Sequence, residues 1–570
     1  MSDEKYPTQS TADPAAVSGR IDISTRYDCL IVGAGFAGLY SIYKLREMGL
    51  NVRCFEAADD VGGVWNFNSY PGAQCDVPSR DYAFHFSQEL LDEWKWSRRY
   101  AGQPEILAYA RHVADKFELR KQIAFGTRVT SAIYDAQSHG WVVTTSRGET
   151  VWAQFCIMAS GHLSTPNMPQ MPGLEGFSGE QYHTGHWPRT PVDLAGKRVG
   201  VIGTGSTGIQ LVVNISKTVG HLCVFQRTAQ YSLPIANDPA DPLEEQAFRS
   251  AYPDYAAYKE SIIQRFGVAY FQDVQTAGAA MDASAEERER VFEALWNKRA
   301  GAALLRAYND TMTSEESNRA VSDFVRRKIR SIVKDPIVAE QLVPREYPIG
   351  AKRIAMDEGY YAAFNRPNVE LVDIRADPIE RVTPTGIKTA GAEYALDVVI
   401  FATGYDAFTG TLFKIDIRGR HGLPLQEKWQ GGAVNYLGLM TAGFPNLFVI
   451  QGPGSTSVLA NVMTGIDQQV NWIADCIGYM QMNGLQAIDP NPDAELNWVA
   501  YCNEMVGKTL FLRANSWWLG ANIPGKPRVF LPFVGGFKLY REKCAEAAAN
   551  GYVGFDFQRS KAEVANASVD

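Results

Sequence analysis

The residues that could do chemistry gather in two glycine-rich runs and two charged positions. Gly33-Ala34-Gly35-Phe36-Ala37-Gly38 and Gly203-Thr204-Gly205-Ser206-Thr207-Gly208 both read Gly-x-Gly-x-x-Gly. Glycine, lacking Cβ, lets backbone pass close to a pyrophosphate, and a following helix turns its N-terminal N–H groups toward the negative charge. One such run is a weak signal; two in one chain predict two nucleotides. Behind the first run Glu56 stands where, about 20 residues on, a carboxylate accepts from ribose hydroxyls. Behind the second run that place holds Arg227 and Thr228. A guanidinium and a hydroxyl suit a 2′-phosphate, which a carboxylate repels, so NADP is expected there rather than NAD. An Arg after a strand is commonly plain surface; its position singles this one out.

These loops need elements to hold them. Residues 27–32 form an apolar strand, 39–48 a helix stopped by Gly49, and 51–55 a second strand: the β–loop–α–β unit of a dinucleotide fold. Residues 86–125 read as helical, with Trp94, Trp96, Leu107 and Phe117 as burial candidates. The alternation over 129–158 predicts an antiparallel meander, closed by Ala159-Ser160-Gly161. A proline-rich stretch (Pro166, Pro169, Pro172) leads to a second unit: strand 198–202, a helix from Ile209, and strand 222–225. Residues 236–344 read as a helical insert. Ser284 and Glu287 make a capping box, and the stripe from Val321 to Ile332 is ended by Pro336. Strand 396–401 is read as the return to the first domain, and helix 464–483 is capped by Gly484. The fold class is α/β: two Rossmann-like dinucleotide domains with a helical insert in the second. The expected boundaries are a disordered arm (1–25), a first domain in two parts (26–164 and 396–558), a second domain (165–395) holding the insert, and a flexible tail (559–570).

Length and composition agree. A chain of 570 residues exceeds one core, and 46% hydrophobic with 21% charged residues is ordinary for a globular protein. A net charge of -8 argues against a nucleic-acid surface. No secretory signal and no apolar run of about 20 residues is read, so no membrane partner is expected. The eight cysteines are scattered without Cys-x-x-Cys, which excludes a paired-thiol redox motif and the usual zinc spacings; no metal is expected. Free thiols fit a reducing, cytoplasmic setting.

Two longer patterns carry a family resemblance. Phe177-x-Gly179-x-x-x-His183-x-x-x-Trp187-Pro188 lies between the two glycine runs. Gly62-Gly63-Val64-Trp65, with Tyr70-Pro71-Gly72 and Asp76, follows the first. Together they resemble the fingerprints of the Baeyer–Villiger monooxygenases, above all the phenylacetone, steroid and cyclopentadecanone types, and the resemblance runs from about Tyr27 to Phe557. The family often has a second Trp and an acid where this chain has Phe67 and Pro78, which touches the pocket's shape.

The resemblance implies FAD on the first unit and NADPH on the second. It implies conversion of a ketone and O₂ to an ester or lactone, through a C4a-peroxyflavin and a Criegee adduct. It places Gly33, Gly35, Phe36, Ala37, Gly38, Glu56, Val64, Trp65, Asp76, Tyr82, Val129 and Met463 at FAD. It places Gln74, Thr204, Gly205, Ser206, Thr207, Gly208, Gln210, Arg227, Thr228, Lys352, Arg353 and Trp517 at NADP. Phe177, Gly179, His183, Trp187 and Pro188 form the linker, with His183 positioning it rather than moving protons. Ser457, Val458 and Leu459 border the substrate, and the segment around Trp517 is expected to be mobile. Arg353 is the catalytic cation and Asp76 its partner. A monomer or weak oligomer is expected. Three other readings share the two-nucleotide plan. A heteroatom-oxidising flavin monooxygenase typically lacks the Trp-Pro ending, a disulfide reductase needs the missing cysteine pair, and a non-enzymatic nucleotide binder needs neither Asp76 nor Arg353.

Overall fold

The computed structural model describes residues 25–251 and 278–559; all but the edges of the expected arm and tail, and part of the insert, lie outside them. Cys29 to Val32 are buried together, as expected of a central strand covered on both faces. The strand Arg26–Val32 pairs in parallel with Val52–Phe55 on one side and Thr150–Met158 on the other. The predicted meander is present: Val129–Asp135, Gly140–Thr145 and Thr150–Met158 pair antiparallel in turn. With Ile123–Ala124, Asp416–Arg418 and Leu447–Val449 they make an eight-stranded sheet. The helix Phe36–Glu47 packs Leu39, Ile42 and Leu45 into the same core as Val470, Ile473 and Ile477 of the helix Val462–Met482.

The second sheet has five parallel strands in the order Val369–Asp373, His221–Gln226, Arg198–Ile202, Val398–Phe401, Glu180–His183. Two readings change here. Val398–Phe401 lies inside this sheet, so the chain has not yet returned to the first domain; an apolar run marks a buried strand without saying which sheet it joins. The segment read as a linker supplies the edge strand Glu180–His183 of the same sheet. Both glycine-loop helices begin a turn early, at Phe36 and Ser206, with Gly35 and Gly205 as N-caps. Apart from Phe36, which is buried in the core, their first turns are the Ala, Gly, Ser and Thr of the loops themselves, so apolar spacing misses them.

The two crossings between domains run side by side. Phe408 N donates to His162 O at 2.9 Å, Asp406 N to Thr165 O at 2.9 Å, and Asn167 N to Gly404 O at 2.8 Å. In the insert, Ser284 accepts from Glu287 N at 3.2 Å and caps Ala285–Asn297, as read. Pro336 does not end a helix but opens Pro336–Leu342, where its missing N–H costs nothing; Asp335 caps it. No helix among the described residues is long and apolar enough to cross a membrane.

Candidate active site

The first glycine loop is built by close backbone contact. Gly33 has φ +102°, and a Cβ on Gly38 would lie 1.9 Å from Gly33 O. A Cβ on Gly63 would sit 3.0 Å from Gly35 Cα, so the Gly62-Gly63 turn lies directly on the loop. Gly38→Ala is therefore expected to cost about 1–3 kcal/mol of stability and to yield protein largely without flavin. The flavin-to-protein absorbance ratio checks this, and full loading would overturn it. Glu56 is buried, with Oε2 accepting from Ala34 N at 2.6 Å and Oε1 from Ala58 N at 2.7 Å. Burial holds its carboxyl above the usual range against those two hydrogen bonds. A carboxylate has about four acceptor sites, so capacity remains for a ligand's hydroxyl.

Aromatic residues wall the next part of the site. Trp65 Nε1 donates to Tyr82 Oη at 3.0 Å, and Phe36 meets Tyr82 edge-on at 5.8 Å. Val129 and Met463 are buried; Ala37 and Val64 are half-buried. Asn461 caps the long helix by accepting from Met463 N at 3.0 Å, and its amide donates to Asp81 O at 2.6 Å. The side-chain amide of Gln451, Ser457 Oγ and Thr464 Oγ1 are buried without a hydrogen-bond partner among the described residues. Buried polar atoms are normally satisfied, so such atoms around a helix start fit a polar ligand of flavin type.

In the second loop a Cβ on Gly203 would meet Ala402 O at 2.5 Å, whereas one on Gly205 would meet nothing within 4 Å. That open side is where a pyrophosphate fits at the helix start, next to Ser206, Thr207 and Gly208. Thr204 Oγ1 donates to Thr228 O at 3.0 Å, tying the loop to the Arg227-Thr228 turn. Arg227 is exposed and lines a cavity of about 570 Å³ with Thr228, Tyr347, Arg345 and Arg375. Lys352 Nζ lies 4.5 Å above the Tyr347 ring. Burial, then the charge of Arg227, pushes Lys352 down to about 8. Two cations are thus held close together beside the second glycine loop, an arrangement that could take a dianionic phosphate.

The domains meet at Arg353. Its Nη2 and Nε donate to Asp76 Oδ2 at 2.5 and 3.2 Å, and its Nη1 donates to Val458 O at 2.7 Å. The two side chains remain 29% and 24% exposed, so a ligand can reach them. Gly350, with φ +86° and a Cβ position 2.6 Å from Met312 Sδ, makes the turn that presents Lys352 and Arg353. Beside it Tyr70 Oη donates to Gln210 Oε1 at 2.8 Å, and Gln210 Nε2 to Gln74 O at 2.9 Å, linking the first domain to the helix of the second.

The fingerprint segment is a lock on both domains. His183 Nδ1 accepts from Gly185 N at 2.9 Å, and its Nε2 lies 3.3 Å from Thr403 Oγ1. Burial pulls His183 down to about 4, so it stays neutral. Phe177 and Trp187 are buried, and Trp187 N donates to Phe67 O at 3.3 Å. Gly179 has no room for a side chain between Asp397 O and the Phe177 ring; Pro188 follows Trp187 at the close of the segment. Trp517 stacks on Phe408 at 5.9 Å, and Phe408 on His162 at 5.3 Å. The segment expected to be mobile is tied down: Lys526 Nζ donates to Asp406 Oδ1 at 2.5 Å, and Asn522 Nδ2 to Tyr405 O at 2.8 Å.

Comparison with known proteins puts this geometry in context. The model of flavin-binding monooxygenase-like proteins matches residues 27–247. A Baeyer–Villiger monooxygenase of Pseudooceanicola batsensis is 42% identical over 95% of this chain and 98% of its own length. Among solved structures, an oxidised steroid monooxygenase bound to NADP matches with TM-score 0.88 and 47% identity over 94% of this chain and 100% of its own. Closed cyclohexanone monooxygenase matches with TM-score 0.90 and 43% identity over the same shares. The chain belongs to the Baeyer–Villiger monooxygenases.

Within this Baeyer–Villiger monooxygenase, Phe67, the departure noted above, meets His186 of the fingerprint edge-on at 5.6 Å. The sequence reading missed two residues of the junction. Asn237, buried, accepts from Tyr100 N and donates to Gln74 Oε1 at 3.1 Å; nothing in its sequence surroundings marks it. His162 directly follows the closing Ala-Ser-Gly turn, which is the signal that could have found it. Its Nδ1 is buried without a hydrogen-bond partner among the described residues, and burial together with the Arg353 charge pulls it down to about 4.

Proposed function

We propose that this chain is an FAD-containing, NADPH- and O₂-dependent monooxygenase that converts ketones to esters or lactones. The observation that carries the reading is Arg353, a cation fixed by Asp76 and Val458 O at the meeting of two dinucleotide loops. Gly33 to Gly38, Glu56, Trp65 and Tyr82 would hold FAD; Gly203 to Gly208, Arg227 and Lys352 would hold NADPH. Bound FAD, reduced by NADPH, supplies the activated oxygen placed beside the carbonyl.

The chain's own residues supply placement and charge. Arg353 disfavours protonation next to it and stabilises the negative charge that grows on the attacked carbonyl oxygen. Asp76 holds the guanidinium with two hydrogen bonds to one oxygen, so the charge is aimed before substrate arrives. His162, neutral at working pH, adds no second cation beside Arg353. The turn Ser457–Leu459, whose Val458 O holds Arg353, and the Trp517–Phe408 stack would help to exclude water from the site. The eight described cysteines are all free, in keeping with a reducing compartment.

Product analysis of the FAD-loaded enzyme with NADPH, O₂ and a panel tests this. The panel holds cyclohexanone, phenylacetone, a steroid ketone, a large cyclic ketone and a thioether. An ester or lactone carrying one new oxygen atom is the expected product. Sulfoxide alone would move the reading to heteroatom oxidation.

A further inference from the structure

The second nucleotide sheet carries a set of donor atoms that takes no part in the chemistry above. His221 and Cys223 stand two residues apart on the strand His221–Gln226, so both side chains leave the same face. Glu370 lies on the edge strand Val369–Asp373, in register directly opposite Cys223. His221 Nε2 is 3.1 Å from Glu370 Oε2, and Cys223 Sγ is 3.9 Å from the same oxygen. All three donors lie within 4.8 Å of one another, the one such group of three or more His, Cys, Asp or Glu donors among the described residues.

Hydrogen bonds account for each contact separately, His221 to Glu370 and the Cys223 thiol donating to the same oxygen; what marks the group is that an imidazole, a buried thiol and a carboxylate converge within one ion's reach. Ligands bound about 2.0–2.3 Å from a tetrahedral ion stand about 3.3–3.6 Å apart. The carboxylate-to-imidazole and carboxylate-to-thiol separations bracket that spacing, and modest side-chain rotation brings in the third. We propose that His221 Nε2, Cys223 Sγ and a Glu370 carboxylate oxygen bind one zinc-class divalent cation, with water as the fourth ligand.

The donor types select the metal. Thiolate and imidazole favour zinc-class ions over magnesium or calcium, which take oxygen ligands. On binding, the Cys223 S–H bond breaks, its proton leaves to solvent, and a sulfur–metal bond forms without change of oxidation state. Thiolate and carboxylate together balance the charge of the dication. The neighbouring guanidinium, Arg198, sits opposite His221 in register but is already paired with Asp397 at 2.7 Å. The ion would join the edge strand to its neighbour at the end of the sheet remote from the nucleotide. Arg227 lies four residues further along, about 13 Å away at the usual strand rise.

Titration of the full-length, FAD-loaded protein with Co²⁺ tests this. The expected result is one equivalent bound with tetrahedral cobalt absorption to the red of the flavin bands, plus a thiolate-to-cobalt charge-transfer band. Cys223→Ser should abolish the charge-transfer band. Glu370→Gln, a change at a partly exposed surface side chain, should weaken binding at least about tenfold. Equal uptake by wild type and both variants overturns the site. So does wild-type protein showing only the weak absorption of six-coordinate cobalt.

Discussion

Arg353→Ala is expected to go on consuming NADPH while ester formation falls by about 10²–10³-fold, the usual cost of removing a preorganised donor from a developing oxyanion. The guanidinium makes three hydrogen bonds to fixed partners, two to Asp76 and one to Val458 O, so its position is set before substrate binds. Its removal leaves the reduction of flavin intact and takes away the charge that the oxygen-transfer step uses. Hydrogen peroxide should then replace ester as the product of NADPH oxidation. Arg353→Lys should recover only part of the activity, because a point charge on a flexible stem cannot reproduce the fork that grips Asp76. Parallel assays of NADPH consumption and ester yield decide the matter. Normal ester yield in the alanine variant would remove Arg353 from the mechanism.

Arg227→Ala and Lys352→Ala are each expected to raise KM for NADPH by about 10- to 100-fold, from loss of a charge-assisted hydrogen bond worth about 1.5–3 kcal/mol. NADH, which lacks the 2′-phosphate, should be nearly unaffected. Equal losses for both cofactors would refute the assignment. The same pair predicts a pH dependence. Lys352 in the free protein is held down to about 8 by burial and by Arg227. Below that pH it is already charged and receives the phosphate directly. Above it the phosphate must first draw a proton onto the amine, so affinity for NADPH falls as pH rises through 8. KM for NADH should stay flat across the same range, and in Lys352→Met the slope for NADPH should vanish.

Much of this was legible from the chain alone, because local physics writes local pattern. The glycine runs, the strand ahead of each and the alternation of the meander each follow from neighbours within a few residues. What was not legible depends on partners far along the chain. The strand Val398–Phe401 is apolar in either sheet, and only its pairing with Arg198–Ile202 and Glu180–His183 decides its place. Arg353 and Asp76 are joined across 277 positions, and only the family resemblance brought them together beforehand. Gln74 lies within the Gly62-to-Asp76 fingerprint, but Asn237, which it meets across 163 positions, has no motif around it. His221 and Cys223 show an unremarkable spacing until the fold lays Glu370 beside them.

The paired crossings at 162–167 and 404–408 determine how this molecule can be cut and rejoined. The chain leaves the flavin sheet and comes back to it at one place, along two backbones that hydrogen-bond to each other. Everything between Asn167 and Gly404 is thus an excursion with adjacent ends, the arrangement in which one domain is tolerated as an insertion within another. A short turn joining those two residues would bypass the whole excursion without breaking a strand of the flavin sheet. The piece removed would carry away all five strands of its own sheet. Exchange of nicotinamide specificity between relatives therefore has a natural unit, the complete excursion with its neck, and the fingerprint segment travels with it.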